Sequence, residues 1–262
     1  MKYQLIQPPE FLKNYVRYFW VSEDRDAGNT PVSFTTIPDG APGLVFQNAD
    51  KGMYWQKNMR MSQFFLYGSS TKHALVELHG SYCTIVAYFY PHALKSVFGM
   101  DANELTDICT DLHAAAPKQD LYIAEQLSES ISLSEKIELL SAYIFSLIRK
   151  NGNVLDPSIE FSLQQIVQSK GKISMKELQQ EMGMSERSIE RKFKQYVGMS
   201  PKLFTRICRF QATLSQLKNK DYTKLSDIAY DNEYADQSHL TRTFREFTGS
   251  APLEFLKRGN NI

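Results

Sequence analysis

The chain has 262 residues, of which 42% are hydrophobic and 23% charged, an ordinary balance for a globular protein with room for two domains. No apolar run approaches the roughly 18 residues that a membrane span needs, so a membrane partner is not expected. Three widely spaced cysteines, Cys83, Cys109 and Cys208, argue against a disulfide framework; with no recognisable secretion signal, they predict a cytoplasmic location.

Charge is unevenly distributed along the chain. Residues 163–262 hold 17 Lys/Arg against 11 Asp/Glu, a net of +6, whereas residues 1–162 hold 13 against 18, a net of −5. An excess of basic residues in one domain is typical of phosphate binding. The C-terminal part is therefore predicted to contact nucleic acid, and the acidic N-terminal part to stay away from it.

Residues 1–92 are predicted to form short strands, because runs of aromatic and β-branched residues alternate with Gly, Pro, Asp and Ser turns. Six strands with such turns predict a small β-barrel or sandwich. The predicted strands are Tyr15–Val21, Ser33–Ile37, Gly43–Gln47, Gln63–Tyr67, Ala74–His79 and Tyr82–Tyr90.

Aromatic residues are dense in this segment, Trp20, Phe34, Trp55, Tyr67 and Tyr88 among them. They indicate either an aromatic-lined pocket for a small organic effector or a compact β-core with one face packed on helices. Strand alternation directs about half of the rings into a core, so no particular pocket residue can be named.

The histidines do not indicate a metal site. His73, His79, His92 and His113 lack the tight His-x-His cluster with a carboxylate that a cupin-type metal centre needs. Neither a metal nor a cofactor is predicted.

From Pro91 onward the apolar spacing becomes helical. Short helices are predicted at residues 92–98 and 102–106, and two longer ones between residues 119 and 150. Their apolar positions are Ile123, Gln126/Leu127 and Ile131 on the first longer helix and Ile137, Leu140, Ile144 and Leu147 on the second. These helices either cover the β-domain or form a homodimer contact. The stretch Lys150–Pro157, rich in Gly, Asn and Pro, predicts a linker at 151–157 between domains 1–150 and 158–262.

One pattern in the C-terminal part occurs twice. Arg191, Phe193, Gly198, Pro201 and Phe204 recur 51 residues later as Arg242, Phe244, Gly249, Pro252 and Phe255. Upstream the offset becomes 50, which places one extra residue between the helices of the later copy. Repetition at such a period indicates a duplicated supersecondary unit. Because turns absorb insertions and helices do not, each copy is predicted to be a helix–turn–helix.

Capping signals set the helix boundaries in both copies. A capping box of Ser174 and Glu177 starts the first helix, which runs to Met182 and turns at Gly183. The further caps and stops are Ser185 with Gly198, Ser200 before Pro201, and Asp236 with Gly249. The helix from Pro201 to about Leu217 would be about 25 Å long and would join the two copies as a strut.

The second helix of each copy has an apolar side for a small core and a polar side that suits base edges and phosphates. One such stripe alone is typical of a solvated helix, but two copies behind capped helices favour double-stranded DNA. The candidate DNA-contacting residues are Arg187, Ser188, Glu190, Arg191 and Lys194 in the first copy and Gln237, Ser238, His239, Thr241, Arg242 and Arg245 in the second.

Chemistry suggests a role for each group. Arg187 and Arg191 suit guanine or phosphate, while Glu190 either accepts from a cytosine amino group or pairs along the helix with Arg187 or Lys194. The second copy offers Gln237, Ser238 and His239 to base edges, and Arg242 and Arg245 to phosphates. Arg206 and Arg209 on the strut are weaker candidates.

Residues from about Phe161 to Arg258 resemble the DNA-binding region of the AraC/XylS family of bacterial transcriptional regulators. The stretches Gly183-Met-Ser-Glu-Arg-Ser-Ile-Glu-Arg-Lys-Phe-Lys and Asp236-Gln-Ser-His-Leu-Thr-Arg-Thr-Phe-Arg-Glu-Phe-Thr-Gly carry the resemblance. A weaker likeness to N-terminal domains of some such regulators lies in Ile37-Pro-Asp-Gly, Leu44-Val-Phe, Phe89-Tyr-Pro-His and Phe98-Gly.

One position departs from the family pattern. The glycine usual in the second turn is Glu233 here. Because glutamate disfavours positive φ, the turn is expected to be reshaped or slightly strained, or Asn232 takes the left-handed conformation.

The resemblance implies a transcriptional regulator controlled by a small effector or by dimerisation through the N-terminal domain. The predicted fold is α+β in two domains: a β-barrel or sandwich with packed helices, then an all-α domain with two helix-turn-helix units on a long helix. The alternative is an effector-independent, architectural DNA-binding protein. An enzyme is not predicted, because no cysteine has the activating neighbours that a DNA-repair methyl acceptor needs.

Overall fold

The structure of the protein is a computed structural model that describes residues 3–25, 30–112, 118–152 and 155–257. Its N-terminal part is built from antiparallel strands: β1 (Tyr3–Ile6), β2 (Val16–Asp24), β3 (Val32–Thr36), β4 (Gly43–Ala49), β5 (Met53–Trp55), β6 (Met59–Arg60), β7 (Phe64–Tyr67), β8 (Ala74–Leu78), β9 (Tyr82–Phe89) and β10 (Cys109–Asp111). One sheet has the order β1-β2-β9-β4-β7-β10 and the other the order β3-β8-β5-β6.

The large sheet is covered on both faces, as the apolar alternation of β2, β4 and β9 requires. One face packs Phe19, Phe46 and Ile85 on the helices that follow. The other face packs Val45 and Val86 against the small sheet. The predicted barrel or sandwich is therefore a sandwich, whose two sheets do not close on each other.

Three helices lie on the large sheet: α1 (Ala93–Phe98), α2 (Lys118–Glu129) and α3 (Leu133–Asn151). Two details differ from the sequence expectation. Ile131, assigned to the buried stripe, lies after the end of α2 and is 93% exposed. The segment expected to be helical at 102–106 forms a 3-10 turn at Ala102–Glu104.

The C-terminal part consists of α4 (Pro157–Gln168), α5 (Met175–Met182), α6 (Glu186–Val197), α7 (Pro201–Lys218), α8 (Leu225–Asp231), α9 (Gln237–Thr248) and α10 (Pro252–Lys257). Asp156 caps α4 by accepting from Ser158 N at 2.9 Å. The buried rings of Phe193, Phe210, Phe244 and Phe247 form one core through both copies of the repeat.

The duplication extends further upstream than sequence identity shows. Lys170 after α4 and Lys220 after α7 are 50 residues apart, and both are left-handed, with φ of 53° and 56°. Each is followed by the same bond back into the preceding helix: Gly171 N donates to Ile166 O, and Asp221 N to Gln216 O. Each repeat is therefore a three-helix unit, and the C-terminal half of α7 doubles as the first helix of the second.

The described part of the chain lacks two features. No helix there is both long and apolar enough to cross a membrane. No group of three or more His, Cys, Asp or Glu side chains is placed to hold a metal ion. His113, one of the four histidines considered above, lies outside the described residues.

Candidate DNA-binding surface

The capping pattern predicted for both units is present. Ser174 and Glu177 form a reciprocal capping box on α5. Ser185 Oγ accepts from Ser188 N at 3.4 Å at the start of α6, and Asp236 Oδ1 accepts from His239 N at 2.6 Å at the start of α9. Gly198 and Gly249 close these two helices in the left-handed conformation. The second helices of the two units, α6 and α9 (the reading helices), therefore have the same length.

In the first unit (α5 and α6) the charged candidates all reach solvent. Arg187, Glu190, Arg191 and Lys194 are exposed, while Ile189 and Phe193 on the opposite side are fully buried. Across the described residues none of these four charged groups forms an ion pair, so the intrahelical pairing considered for Glu190 is absent. Ser188 is half-buried, and its hydroxyl lies 3.1 Å from that of Ser185.

In the second unit (α8 and α9) the candidates divide into free and engaged groups. Gln237, Ser238, Arg242 and Arg245 are exposed. The imidazole of His239 packs edge-on against Tyr234 at 5.3 Å, and its Nδ1 accepts from Ala235 N at 3.4 Å. Nδ1 is thereby occupied as an acceptor, and Nε2 is the ring nitrogen left for another partner.

Thr241 is engaged with its own helix. Its hydroxyl donates to Gln237 O at 2.9 Å, a back-bond typical of threonine within a helix. Its methyl group is therefore the part that remains for contact with a base.

In the turn of the second unit, the structure shows whether Glu233 or Asn232 takes the left-handed conformation. Glu233 itself is left-handed, with φ of 54°, whereas Asn232 keeps φ of −105°. The proposal that Asn232 takes the left-handed conformation is therefore wrong. Asn232 is buried instead, and its side-chain amide donates to Ile228 O and Gln216 Oε1.

The two arginines of the strut (α7) have structural partners. Arg209 donates to Gly171 O at 2.8 Å from Nη2 and to Glu233 O at 3.4 Å from Nη1. It thereby ties the loop before the first unit to the turn of the second. Arg206 forms an ion pair with Glu246 at 2.6 Å and lies over the ring of Phe247. Neither guanidinium is free for DNA, so their weak candidacy is not supported.

Three N-terminal loops form a platform, defined as residues 37–42, 68–73 and 101–107, under the C-terminal helices. The loops are joined to one another, since Ser69 Oγ donates to Gly40 O at 3.3 Å and Thr71 N to Asp107 Oδ1 at 2.7 Å. The strut rests on the first loop, where Gln211 Nε2 donates to Pro38 O at 2.6 Å.

The platform contacts both reading helices at the same repeat position. Thr106 Oγ1 donates to Gly198 O at 2.6 Å, at the end of α6. At the end of α9, the ring of His73 lies so close to Gly249 that a Cβ there would be 2.7 Å from Nε2. The platform therefore contacts the C-terminal ends, and the N-terminal ends of α6 and α9 lie about 18 Å from these contacts along each helix.

Sequence reasoning did not find the platform. Its contacts join residues that are far apart in the chain, such as Thr106 with Gly198 and Pro38 with Gln211. No pattern among neighbouring residues predicts such long-range pairs. The order Ile37-Pro-Asp-Gly, noted only as a family likeness, was the single available signal.

The three thiols show no activation. Burial raises the pKa of Cys83 above its usual value, that of Cys109 to about 11 and that of Cys208 to about 12. A nucleophilic cysteine needs the opposite shift.

Models of known protein families match segments in both halves of the chain. Residues 4–111 match a domain of unknown function, DUF6597, and residues 178–258 match a helix-turn-helix domain. The second range runs from within α5 to the end of α10 and contains the repeated pattern of both units.

Residues 178–258 therefore form an AraC-type helix-turn-helix domain.

Two solved structures have the same overall fold as this chain. ToxT from Vibrio cholerae, at 1.65 Å resolution, aligns with a TM-score of 0.50 and 13% identity over 91% of this chain and 98% of that chain. ToxT bound to (E)-4-(8-methylnaphthalen-1-yl)but-3-enoic acid aligns equally well at 14% identity, over the same shares of the two chains. No curated protein matches the chain. The chain therefore shares with ToxT the arrangement of a β-rich N-terminal domain followed by a helical C-terminal domain.

Proposed function

We propose that this regulator reads two successive major grooves of double-stranded DNA with the N-terminal halves of α6 and α9. The observation that carries the proposal is that both reading helices are held at equivalent C-terminal glycines. The exposed groups at the N-terminal ends of the two helices make none of these platform contacts. Arg187, Glu190 and Arg191 contact bases in the first groove, and Gln237, Ser238 and His239 contact bases in the second.

The strut fits this spacing. Its 18 residues give a rod of about 27 Å, against about 34 Å between successive major grooves on one face of DNA. Helices that project outward, or a modest bend of the DNA, cover the difference. Lys194, Arg242 and Arg245 lie further along the reading helices and contact phosphates, which set affinity and register.

Footprinting on genomic fragments separates this function from an architectural role. A regulator protects short, defined sites that contain two half-sites about one helical turn apart. An architectural protein without an effector covers DNA broadly, and protection of that kind would contradict the proposal.

We further propose that a small organic effector enters the sandwich at its platform end. Tyr18, Tyr67 and Tyr88 cluster there with ring centroids 5.0 and 6.3 Å apart, and each remains partly accessible. Arg17 and Asp39 lie at the same end with Nη1 and Oδ2 3.8 Å apart. Burial raises the pKa of Asp39 although a third of its side chain is exposed, which places the carboxyl in a recess rather than on open surface.

The location suggests how an effector would act. Pro38 and Gly40 in the loop that carries Asp39 contact Gln211 and Phe204 of the strut. A ligand that moved this loop would shift the strut and both reading helices together. The apolar carboxylic acid bound in the ToxT structure supports a search among small acids with a hydrophobic body.

A thermal-shift screen of the full chain tests effector binding. A ligand that binds the folded state alone raises the melting temperature by mass action, and Tyr88→Ala should remove the shift. A screen of small metabolites and acids without any shift would favour control by abundance or by a protein partner.

We also propose that the outer face of α3 forms a homodimer contact. Phe145 is 38% exposed and packs edge-on against Phe11 at 5.1 Å, with Ala142 and Arg149 beside it. Phe145→Glu should convert a dimer to a monomer in sedimentation equilibrium, since it buries a charge in an apolar interface. A wild-type protein that sediments as a monomer at all concentrations would contradict this contact.

A further inference from the structure

The loop before the first helix-turn-helix unit presents two lysines to solvent. Lys170 and Lys172 are exposed on either side of the buried Gly171. Among the described residues neither forms an ion pair or a side-chain hydrogen bond. Lys170 also holds φ of 53°, in the left-handed region where any residue with a Cβ is strained relative to glycine. The chain keeps a lysine at a position where glycine would fit the backbone better.

The strut fixes this loop in place. The backbone of Gly171 packs so tightly on α7 that a Cβ would lie 2.3 Å from Thr205 O. Arg209 clamps the same residue, since Nη2 and Nε donate to Gly171 O at 2.8 and 3.2 Å. The lysines therefore project from a rigid segment.

Arg209 also shows which side of the domain the loop faces. Nη1 of the same guanidinium donates to Glu233 O at 3.4 Å. Glu233 stands three residues before Asp236, the N-cap of α9, so the loop lies close to the reading end of the second unit. Since it also leads into α5 of the first unit, it occupies the space between the two units.

We propose that Lys170 and Lys172 bind the DNA phosphates that lie between the two major grooves. The inference rests on the proposed reading of two successive grooves. Between such grooves the duplex presents its backbone, which lysines bind without regard to sequence and with release of counterions. Glycine at position 170 would relax the backbone but lose this charge.

A salt titration of DNA binding tests the proposal with a 30-base-pair duplex of mixed sequence and the full chain. Lys170→Gly keeps the left-handed backbone, and Lys172→Gln keeps the length of the side chain. Each should reduce the slope of log affinity against log salt by about 0.9, and the affinity at 0.15 M salt by roughly fivefold. The melting temperature of Lys170→Gly should stay unchanged or rise, and Lys170→Arg should keep the wild-type slope.

The repeat supplies a matched control. Lys220 has the same left-handed backbone, but it lies beyond the end of the strut, 11 residues after Arg209, which clamps the loop at Gly171. Lys220→Gly should leave the slope unchanged. An equal loss in Lys220→Gly, or a wild-type slope in the Lys170→Gly/Lys172→Gln double variant, would overturn the assignment. A wild-type protein that binds no duplex would instead remove the proposed function itself.

Discussion

The two helix-turn-helix units share a backbone and differ in the surface that they offer to DNA. Both reading helices have 12 residues, an N-cap side chain and a left-handed glycine at the end. The first is densely charged, whereas the second begins with the polar side chains of Gln237, Ser238 and His239. Caps and apolar positions therefore define the unit, and the positions between them are free to diverge toward different DNA sequences.

The units also differ in how the N-terminal half holds them. The first is bonded through side chains: Thr106 donates to Gly198 O, Gln195 to Asp101, and Lys95 lies over the ring of Tyr196. The second touches the platform where His73 packs on Gly249. A signal from the N-terminal domain would therefore act more directly on the first unit.

The largest expected effect comes from removing the central ring of either unit. Phe193→Ala and Phe244→Ala should each lower the free energy of unfolding by about 3–5 kcal/mol, because each ring is fully buried. Phe244 packs on both Phe210 and Phe255, whereas Phe193 has one ring neighbour, Phe204, among the described residues. The loss should therefore be larger in the second unit.

Urea denaturation followed by circular dichroism measures both losses. Tyr230→Ala is the control, since that ring is 85% exposed and its removal should change stability by less than about 0.5 kcal/mol. If Phe193→Ala cost more than Phe244→Ala, ring packing would not be what distinguishes the two units.

The packing of α4 on the N-terminal domain should weaken in acid. His92, next to α1, faces Glu160 of α4, with Nε2 and Oε1 3.6 Å apart, too far for a hydrogen bond. Burial lowers the pKa of His92 to about 4, whereas an unfolded histidine titrates near 6.5. The unfolded chain therefore binds the proton first, so stability is full above pH 6.5 and falls as the pH drops toward 4.

The loss is at most about 3 kcal/mol, because the carboxylate of Glu160 offsets part of it. Thermal melts from pH 7.5 to 4.5 measure it against His92→Phe, which keeps the stacking with Tyr90 and cannot titrate. Equal pH dependence in the two proteins would show that His92 does not titrate in this way.

Contacts between neighbouring residues could be predicted from the sequence, whereas contacts between distant residues could not. The capping box of Ser174 and Glu177 could be predicted because its bonds join residues three apart. The clamp of Arg209 could not, since a cation on a helix resembles a solvated side chain until Gly171, 38 residues away, is brought beside it. The short strands and their turns likewise predicted a barrel or sandwich in the N-terminal half, but not that three loops at one end would contact both reading helices.

The two units should respond differently to loss of an arginine at the same repeat position. Arg191→Ala should weaken binding to a selected operator by about 1–3 kcal/mol and relax the preference at one base pair, as loss of a guanine contact does. Arg242→Ala should weaken binding to all sequences alike and lower the salt slope by about 1, as loss of a phosphate contact does.

Gel-shift titrations against the operator and its single-base variants distinguish the two outcomes. Both arginines are exposed, so the melting temperatures should match that of the wild type. Identical effects of the two substitutions would mean that the repeat-related arginines do the same work in both grooves.

The smallest effects should come from the turns, with opposite signs in the two units. Gly183 and Glu233 occupy equivalent left-handed positions, with φ of 61° and 54°. Gly183→Ala should cost about 1 kcal/mol of stability, because a Cβ is strained there. Glu233→Gly relieves the same strain and loses only a half-exposed ion pair with Arg209, whose closest atoms are 4.0 Å apart. It should gain up to about 1 kcal/mol. Destabilisation by Glu233→Gly would mean that the glutamate holds Arg209, and with it the loop at Gly171, more firmly than that distance implies.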